Sequence, residues 1–322
     1  MRSIFKCVIA ATMLAWLNGP VSAQDFPARP VKFVVGAAAG SAGDVVGRML
    51  ADNLGSIWKQ VPVVENRPGA GGIIGGKAVL GAPPDGHTLF VSAGSYLVIT
   101  PATTANMPYD VEKDFAAVAF LAEIPLLIGV NPKLPVRTLQ ELIAYAKANP
   151  GKVNYSANTP GTFPNFASEL FAQRAGISIT FVPYNGAMAA LQDIMGDRLQ
   201  MAVEGVSAFT GAIKAGQLRP VAVTSSGRVA SLPDVPAVGE VVPGFAAVGF
   251  YSLMAHSRVP EGIIRKINAD VRQVLSRPEV SSRFAELGNY VKQMTPEETV
   301  AFIRKERTTW EAVIKQMGFT PR

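Results

Sequence analysis

Cysteine and histidine are almost missing from this sequence. Of its 322 residues, one is cysteine and two are histidine. Cys7 lies in the N-terminal segment, and the rest of the chain has no thiol, which excludes disulfides, thiolate metal sites and cysteine nucleophiles. His87 and His256 have no carboxylate–histidine spacing around them. The pattern therefore favours ordinary loop or core histidines over a metal site.

Motifs of the common enzyme families are also missing. Gly71 and Lys77 match the front of a phosphate-binding P-loop, but Ala78 stands where Ser or Thr must hold magnesium. The dinucleotide pattern Gly-x-Gly-x-x-Gly fails because Ile74 occupies its last position, counted from Gly69. There is no Gly-x-Ser-x-Gly elbow and no paired-carboxylate motif. The residues predict a protein that is not an enzyme and needs no cofactor or metal.

The N-terminus has the pattern of a secretory signal peptide. A short basic start, residues 1–6, is followed by an apolar run to Leu17 and by the small-x-small end Val21-Ser22-Ala23. The run is shorter than the roughly 20 residues of a membrane span, and residues 18–20 interrupt it. We expect cleavage after about Ala23 and export to a bacterial periplasm.

Charge is scarce and scattered in the remainder. Without residues 1–23 the chain has 28 basic and 24 acidic side chains, a formal net charge of +4. The basic residues lie on predicted helices with acids nearby, which indicates solvated helix faces. A nucleic-acid partner is not predicted.

Apolar runs of strand length alternate with periodic segments of helix length. Strands are predicted at residues 31–35, 61–65, 88–91, 126–130, 153–156, 179–182, 200–203 and 220–224. Helices are predicted at 44–58, 73–80, 139–149, 166–174, 189–195 and 208–215, and only helices after 256, at 261–275, 279–287 and 296–317. Capping-box patterns mark helix starts at Thr138 and Thr295. Such alternation predicts an α/β fold with parallel sheets flanked by helices.

Three glycine-rich turns follow predicted strands and lead into helices. They span residues 36–44, 65–72 and 156–162. Backbone N–H groups at a helix start have no partner within the helix, and the helix dipole favours negative charge there. The first and third turns contain no Lys or Arg. We expect the turns to face a common cleft and to bind an anion through backbone amides, although a single turn of this kind is as often only structural.

An ordered set of short motifs runs along the chain. It comprises residues 29–31, the glycine-rich turn closing on Asp44, residues 64–72, 83–86, 108–110, 114–115, 182–184 and 232–236. In order and spacing they resemble the extracytoplasmic solute-binding receptors of tripartite tricarboxylate transporters, often called the Bug family. The resemblance extends from residue 26 to about residue 318.

This resemblance implies the two-lobe fold of type II periplasmic binding proteins, also called the Venus-flytrap fold. Each lobe would be a mainly parallel sheet flanked by helices, and two crossing strands would join the lobes. Residues 24–125 and 226–322 would form lobe 1, and residues 126–225 lobe 2. The family implies a monomer that binds a small carboxylate between the lobes and presents it to the membrane subunits of a transporter.

The resemblance also assigns candidate ligand-binding residues. In the family, the first turn grips one carboxylate, partly through water. Here that turn is Ala37-Ala38-Ala39-Gly40-Ser41 in place of the usual Phe-Pro-Pro-Gly-Gly, so we expect a roomier turn and a larger or more apolar ligand. The full candidate set is Ala37, Ala38, Gly40, Ser41, Ser92, Ser95, Pro160, Gly161, Thr162, Asn165, Tyr184 and Glu204.

Simpler structural roles stay open for several of these residues. Tyr184 could serve packing, Glu204 could be a hydrogen-bonded strand end, and the two serines could cap a helix. A carboxylate in the cleft at Glu204 would repel a second anion and accept an amine or hydroxyl. Dicarboxylates, aromatic acids and amino acids all satisfy the same backbone-amide chemistry. The alternative functions are an exported hydrolase on the same fold and a sensor that feeds a signalling receptor.

Overall fold

A computed structural model describes residues 26–157, 161–184 and 186–321. The proposed signal peptide, residue 160 and residue 185 lie outside the described residues. Ten strands are present in the described chain, and their bounds are β1 Lys32–Val35, β2 Val63–Asn66, β3 Thr88–Ala93, β4 Phe115–Val130, β5 Val153–Ser156, β6 Ile179–Phe181, β7 Met201–Gly205, β8 Arg219–Val223, β9 Val248–His256 and β10 Tyr290–Val291.

Helices cover the strands. Their bounds are α1 Ala42–Trp58, α2 Ile73–Leu80, α3 Gly94–Val98, α4 Thr100–Thr103, α5 Val111–Asp114, α6 Leu139–Ala148, α7 Phe163–Ala175, α8 Ala187–Met195, α9 Val206–Lys214, α10 Glu261–Leu275, α11 Pro278–Glu286 and α12 Pro296–Gln316. Two 3-10 turns lie at Ala70–Gly72 and Val238–Glu240. Within the described part of the chain, no helix has the length and apolar character needed to cross a bilayer.

The strands form a curled, mixed sheet in the order β2-β1-β3-β9-β4-β7-β5-β6, with β8 and β10 also paired to β4. Six of the eight predicted strands have parallel partners: β1 pairs in parallel with β2 and β3, and β5 with β6 and β7. The predicted strands at 126–130 and 220–224 have antiparallel partners instead. The strands β4, β8, β9 and β10 pair antiparallel. Each half is therefore mixed rather than mainly parallel.

Strand β4 runs through both halves of the sheet. Its 16 residues pair with β9 from Phe115 to Pro125 and with β7 from Leu126 onward. A register shift near Val118 interrupts the pairing with β9, and the side-chain amide of Asn268 donates a hydrogen bond to the Val118 carbonyl at 2.8 Å. Asn268 of α10 thus gives the buried Val118 carbonyl a hydrogen-bond partner at this bulge.

Both faces of the central strands are covered, which explains why these strands are mostly apolar. In β1, Phe33 and Val35 belong to an apolar cluster with α1 and α10, whereas Val34 belongs to a cluster on the opposite face. A third cluster packs α8 and α9 against β7 and β8. It also contains Val229 and Val235, so the chain after β8 packs there before β9 returns to β3 and β4. The lobe boundaries near 125 and 226 stay a prediction.

Each predicted strand and helix is found, with ends shifted by a few residues. Two parts of the prediction are wrong. The first half of β4 and all of β9 were not predicted, and β10 follows residue 256, where only helices were expected. Alanine and glycine are depleted in strands, and Ala116, Ala117, Ala119 and Gly249 weaken the local signal. Pairing along their whole length stabilises these segments as strands.

Candidate functional site

Two adjoining cavities lie where the halves of the sheet meet, one lined by residues of both halves and one by residues of the half built around β1. The larger has a volume of about 240 Å³, the smaller of about 110 Å³, and both are lined by Ala42, Ala93 and Tyr251. Residues from β3, α3 and β9 form one wall of the larger cavity. The facing wall is formed by the starts of α7 and α9, through Phe163, Pro164, Gly205, Ser207 and Ala208. The starts of α1, α7 and α9 therefore meet at one cleft, and anion binding by the turns before α1 and α7 stays a prediction.

The first turn borders the smaller cavity. Ala37 and Ser41 line it, while Ala38 and Gly40 lie exposed at its edge. Ser41 is the N-cap of α1, and its hydroxyl accepts a hydrogen bond from the backbone N–H of Asp44 at 3.3 Å. Gly40 has φ of 78°, a left-handed conformation that glycine adopts without strain.

Hydrogen bonds to Asp44 stabilise this turn. Its carboxylate, 3% exposed, accepts hydrogen bonds from the Gly40 N–H at 2.8 Å, from the Arg48 guanidinium at 3.0 Å and from the Asn66 amide at 2.9 Å. The same Asn66 amide donates to the Ala37 carbonyl at 3.0 Å. The motif around Asn66 is thus joined to the first turn, and the turn is preorganised without a ligand.

The Asp44 carboxylate is held in its charged form. Burial alone would raise its pKa, but hydrogen bonds from Arg48, Gly40 and Asn66 and the positive charge of Arg48 together bring the pKa below its ordinary value. A buried carboxylate therefore stays ionised at neutral pH because its partners outweigh the loss of solvation.

The glycine-rich turn at 65–72 does not line either cavity. Instead it packs behind the first turn, where a Cβ atom on Gly72 would lie 2.3 Å from Cγ of Tyr96. The Tyr96 hydroxyl donates to the Gly36 carbonyl at 3.0 Å, and the Thr100 hydroxyl donates to the Gly71 carbonyl at 2.9 Å. Gly72 makes room for Tyr96 and Gly71 for Thr100, and the expectation of a third anion-binding turn at 65–72 is wrong on this geometry.

The turn before α7 is described from Gly161 onward. Gly161 has φ of 81°, and its N–H donates to the Asn165 side-chain oxygen at 3.1 Å. The Thr162 hydroxyl donates to the Ala157 carbonyl at 3.0 Å. Asn165, which is buried, also donates to the Tyr155 hydroxyl at 3.2 Å. Thr162 and Asn165 thus shape the turn from within, and Phe163 and Pro164 reach the cavity.

Glu204 and Ser95 line the larger cavity from opposite walls. Glu204 is half-buried at the end of β7, and its Oε2 accepts from the Gly205 N–H at 3.3 Å. Ser95 is half-buried in the first turn of α3. Contact of either residue with a ligand stays a prediction.

Ser92 and Tyr184 lie away from both cavities. Ser92 is fully buried in β3 and its hydroxyl donates to the Ala93 carbonyl at 3.0 Å. The Tyr184 hydroxyl donates to Asp193 at 2.6 Å, and burial together with this carboxylate raises the pKa of Tyr184 to about 12. Ser92 does not cap α3, whose N-cap is Ala93, and ligand contact by Ser92 or Tyr184 stays a prediction.

Tyr251 and Asn289 line the cleft and were not predicted from the sequence. Tyr251 comes from β9, is 8% exposed, and has a pKa raised by burial, with smaller contributions from Tyr96 and Glu204. Asn289 is 2% exposed and follows α11. No hydrogen bond joins the Tyr251 hydroxyl or the Asn289 side-chain amide to another described residue. Their segments carried no motif, so only long-range packing brings them here.

A larger cavity, of about 370 Å³, lies on the outer side of α9 between Thr210, Lys214 and Glu286. None of the predicted site residues lines it. Across the described ranges, no group of three or more His, Cys, Asp and Glu side chains is placed to hold a metal ion.

A family model described as the tripartite tricarboxylate transporter family receptor matches residues 46–319. The chain belongs to this family. Among curated relatives, Protein BugT of Bordetella pertussis is 35% identical over 306 residues, 94% of each chain. A UPF0065 protein of Bordetella bronchiseptica is 31% identical over 322 residues, 100% of this chain and 96% of the relative. The resemblance inferred from the motifs is confirmed.

Solved structures of the family share the fold. R. palustris Rpa4515 with adipate has a TM-score of 0.82 and 29% identity, covering 92% of this chain and 100% of that one. The periplasmic binding protein BugD has a TM-score of 0.78 and 27% identity with the same coverages. MatC from Rhodopseudomonas palustris with bound malate has a TM-score of 0.76 and 29% identity, covering 90% and 100%. The two-lobe periplasmic binding protein fold is confirmed, and this member of the tripartite tricarboxylate receptor family has a solute-binding role.

Proposed function

We propose that this protein is a periplasmic receptor that captures a small organic acid in the cleft and presents it to the membrane subunits of a tripartite tricarboxylate-type transporter. The observation that carries the proposal is the meeting of the starts of α1, α7 and α9 at one cleft. Each start offers backbone N–H groups and a partial positive charge. Two family members with adipate and malate support a carboxylate as ligand.

The ligand would stabilise a closed form because it touches both halves of the molecule at once. Ser41 and Ala42 belong to the half built around β1, whereas Phe163 and Gly205 belong to the half built around β7. A ligand shifts an equilibrium only by its difference in affinity for the two states. Contacts on both walls exist together only when the cleft is closed, and this difference drives closure.

Cavity size and lining support a small ligand. The two volumes, about 240 and 110 Å³, lie at or below the lower end of the range of roughly 300–1,000 Å³ for drug-sized ligands. Ala37 lines the smaller cavity in the part of the first turn where the family usually has bulkier residues. We therefore keep the predicted roomier first turn as part of the proposal.

Export and oligomeric state complete the proposal. The signal-peptide pattern of residues 1–23 and the family support a periplasmic location after cleavage near Ala23. The receptor would act as a monomer, with the transporter subunits as its partner.

A thermal-shift screen against dicarboxylates, aromatic acids and amino acids tests the proposed function. The affinity of each acid that shows saturable binding is then measured by isothermal titration calorimetry, and the bound ligand is recovered and identified. A ligand at 100 times its Kd stabilises the folded state by about 2.7 kcal/mol. Intact ligand supports a receptor, whereas product formation would identify the hydrolase alternative, and no response to any acid would overturn carboxylate capture.

Gly161→Trp tests the assignment of the turn before α7. A large side chain beside the cleft, in a left-handed conformation, should abolish acid binding, a loss of at least ~100-fold in affinity by titration calorimetry, about 2.7 kcal/mol. Nothing in the described chain lies within 4 Å of a Cβ atom on Gly161, so the fold should survive with a cost of about 1–2 kcal/mol from backbone strain.

Gly151→Trp is the matched control, because Gly151 has φ of 72° and equally open surroundings before β5. It should bind like the unmodified protein and melt like Gly161→Trp. If the two variants bind equally well, the turn before α7 does not contact the ligand.

A further inference from the structure

Among the described residues, the lining of the cleft includes an acidic side chain but no basic one. Among the described residues that line the two cavities there is no Lys, Arg or His, and Glu204 is the one Asp or Glu. A closed cleft around an anion would therefore bring the ligand's negative charge close to a carboxylate of the protein. A positive group on the ligand would complement that carboxylate.

Glu204 lies at the start of α9, where its charge is stabilised by the helix. Its Oε2 accepts from the Gly205 N–H at 3.3 Å, and Gly205 is the N-cap of α9. A carboxylate at a helix N-terminus is favoured by the helix dipole. The positive end of α9 thus already faces an anion that belongs to the protein.

The wall of the cleft that faces Glu204 can still bind an anion. On that wall, the first turn of α1, a helix of 17 residues, reaches the cavity through Ala42. Tyr251 of β9, 8% exposed and with no hydrogen bond from its hydroxyl to another described residue, lies beside this helix start and can donate to an anion. The cleft therefore has a side that favours negative charge and, at Glu204, a point that favours positive charge.

We propose that the ligand is a zwitterion, a small acid whose carboxylate lies at the start of α1 beside Tyr251 and whose protonated amine pairs with Glu204. The inference rests on the proposed function and deepens it by naming the ligand class. A second carboxylate on the ligand would meet Glu204 as a like charge in a cleft that loses water on closure. A hydroxyl would bind Glu204 less strongly than a cation does, because hydrogen bonds between two charged groups are the stronger ones.

Chain-matched probes test the ligand class. Titration calorimetry compares the dicarboxylate, the ω-hydroxy acid and the ω-amino acid of each length from about four to six carbons, together with the α-amino acids of these lengths. We expect an amino acid to bind at least ~10-fold more tightly than the dicarboxylate of equal length, with the hydroxy acid between them. A dicarboxylate or hydroxy acid that binds as tightly as its amino counterpart would overturn the proposal.

Glu204→Gln tests the residue. The substitution keeps the shape and removes the charge, so the amino acid should lose at least ~10-fold in affinity while the dicarboxylate gains or is unchanged. Glu279→Gln, an exposed position on α11, is the matched control and should leave both affinities unchanged. An unchanged ratio of the two affinities in Glu204→Gln would show that Glu204 does not recognise the ligand.

The same measurements separate this inference from the proposed function. If dicarboxylates bind and amino acids do not, carboxylate capture holds and the zwitterion is wrong. If no acid of either class binds to the unmodified protein, both fail.

Discussion

Asp44 and Asn66 illustrate how single polar residues prepare the site without contacting a ligand. Asp44 satisfies the Gly40 N–H, and Asn66 satisfies the Ala37 carbonyl. Without them, the exposed first turn would have to order itself on binding, and that ordering costs affinity. Both residues belong to sequence motifs that looked like ligand contacts, but their contacts in the structure are with the turn itself.

Asp44→Asn should destabilise the protein by about 1–3 kcal/mol at pH 7, because buried donors lose a charged acceptor. The pKa of Asp44 is lowered in the folded state, so its stabilising effect is complete above the unfolded value of about 3.9 and is lost as pH falls through the folded value. Urea unfolding of both proteins should therefore show a difference that is constant above about pH 5 and shrinks below about pH 4.

Asp52→Asn is the control, since Asp52 is exposed on the same helix. It should change the free energy of unfolding by no more than about 0.5 kcal/mol. A difference for Asp44→Asn that grows as the pH falls would contradict the assigned network.

At the scale of elements, helix α12 shows a start that the sequence predicted correctly. The Thr295 hydroxyl accepts from the Glu298 N–H at 3.2 Å, and the Glu298 carboxylate accepts from the Thr295 N–H at 2.8 Å, which is the expected capping box. At α6 the pattern is half realised. Thr138 caps the Glu141 N–H, but the Glu141 carboxylate accepts from the Arg137 N–H instead.

Thr295→Ala removes one half of the capping box. We expect a loss of about 1 kcal/mol in the free energy of unfolding, measured by chemical denaturation, with unchanged affinity for the acid. Thr308→Ala, at an exposed position inside the same helix, should have almost no effect. Equal losses in the two variants would mean that the cap contributes nothing beyond helix propensity.

At the scale of the whole molecule, α12 also touches the cleft's far wall. The rings of Trp310 in α12 and Phe163 at the start of α7 are 5.0 Å apart between centroids, and Phe163 lines the cavity. Under the proposed closure, movement of the α7 half would change this contact. The indole N–H of Trp58, by contrast, donates a hydrogen bond to Asp270 at 2.6 Å in the half built around β1.

Ligand binding should therefore change the tryptophan fluorescence of the chain without residues 1–23, and Trp310 should be the source of the change. Trp310→Phe should remove the change while calorimetry still detects binding, and Trp58→Phe should retain it. A signal that disappears in Trp58→Phe and persists in Trp310→Phe would place the moving contact elsewhere.

The sequence by itself determined the positions of most elements, the N-caps of α6 and α12, the family, and a first turn without Lys or Arg. These features depend on residues a few positions apart in the chain, so local sequence patterns are enough to predict them. Tertiary structure decided the rest. The turn at 65–72 lies behind Tyr96, Tyr184 is held by Asp193, β4 extends through both halves, and Tyr251 and Asn289 reach the cleft. Each of these depends on packing between distant segments, for which no local pattern exists.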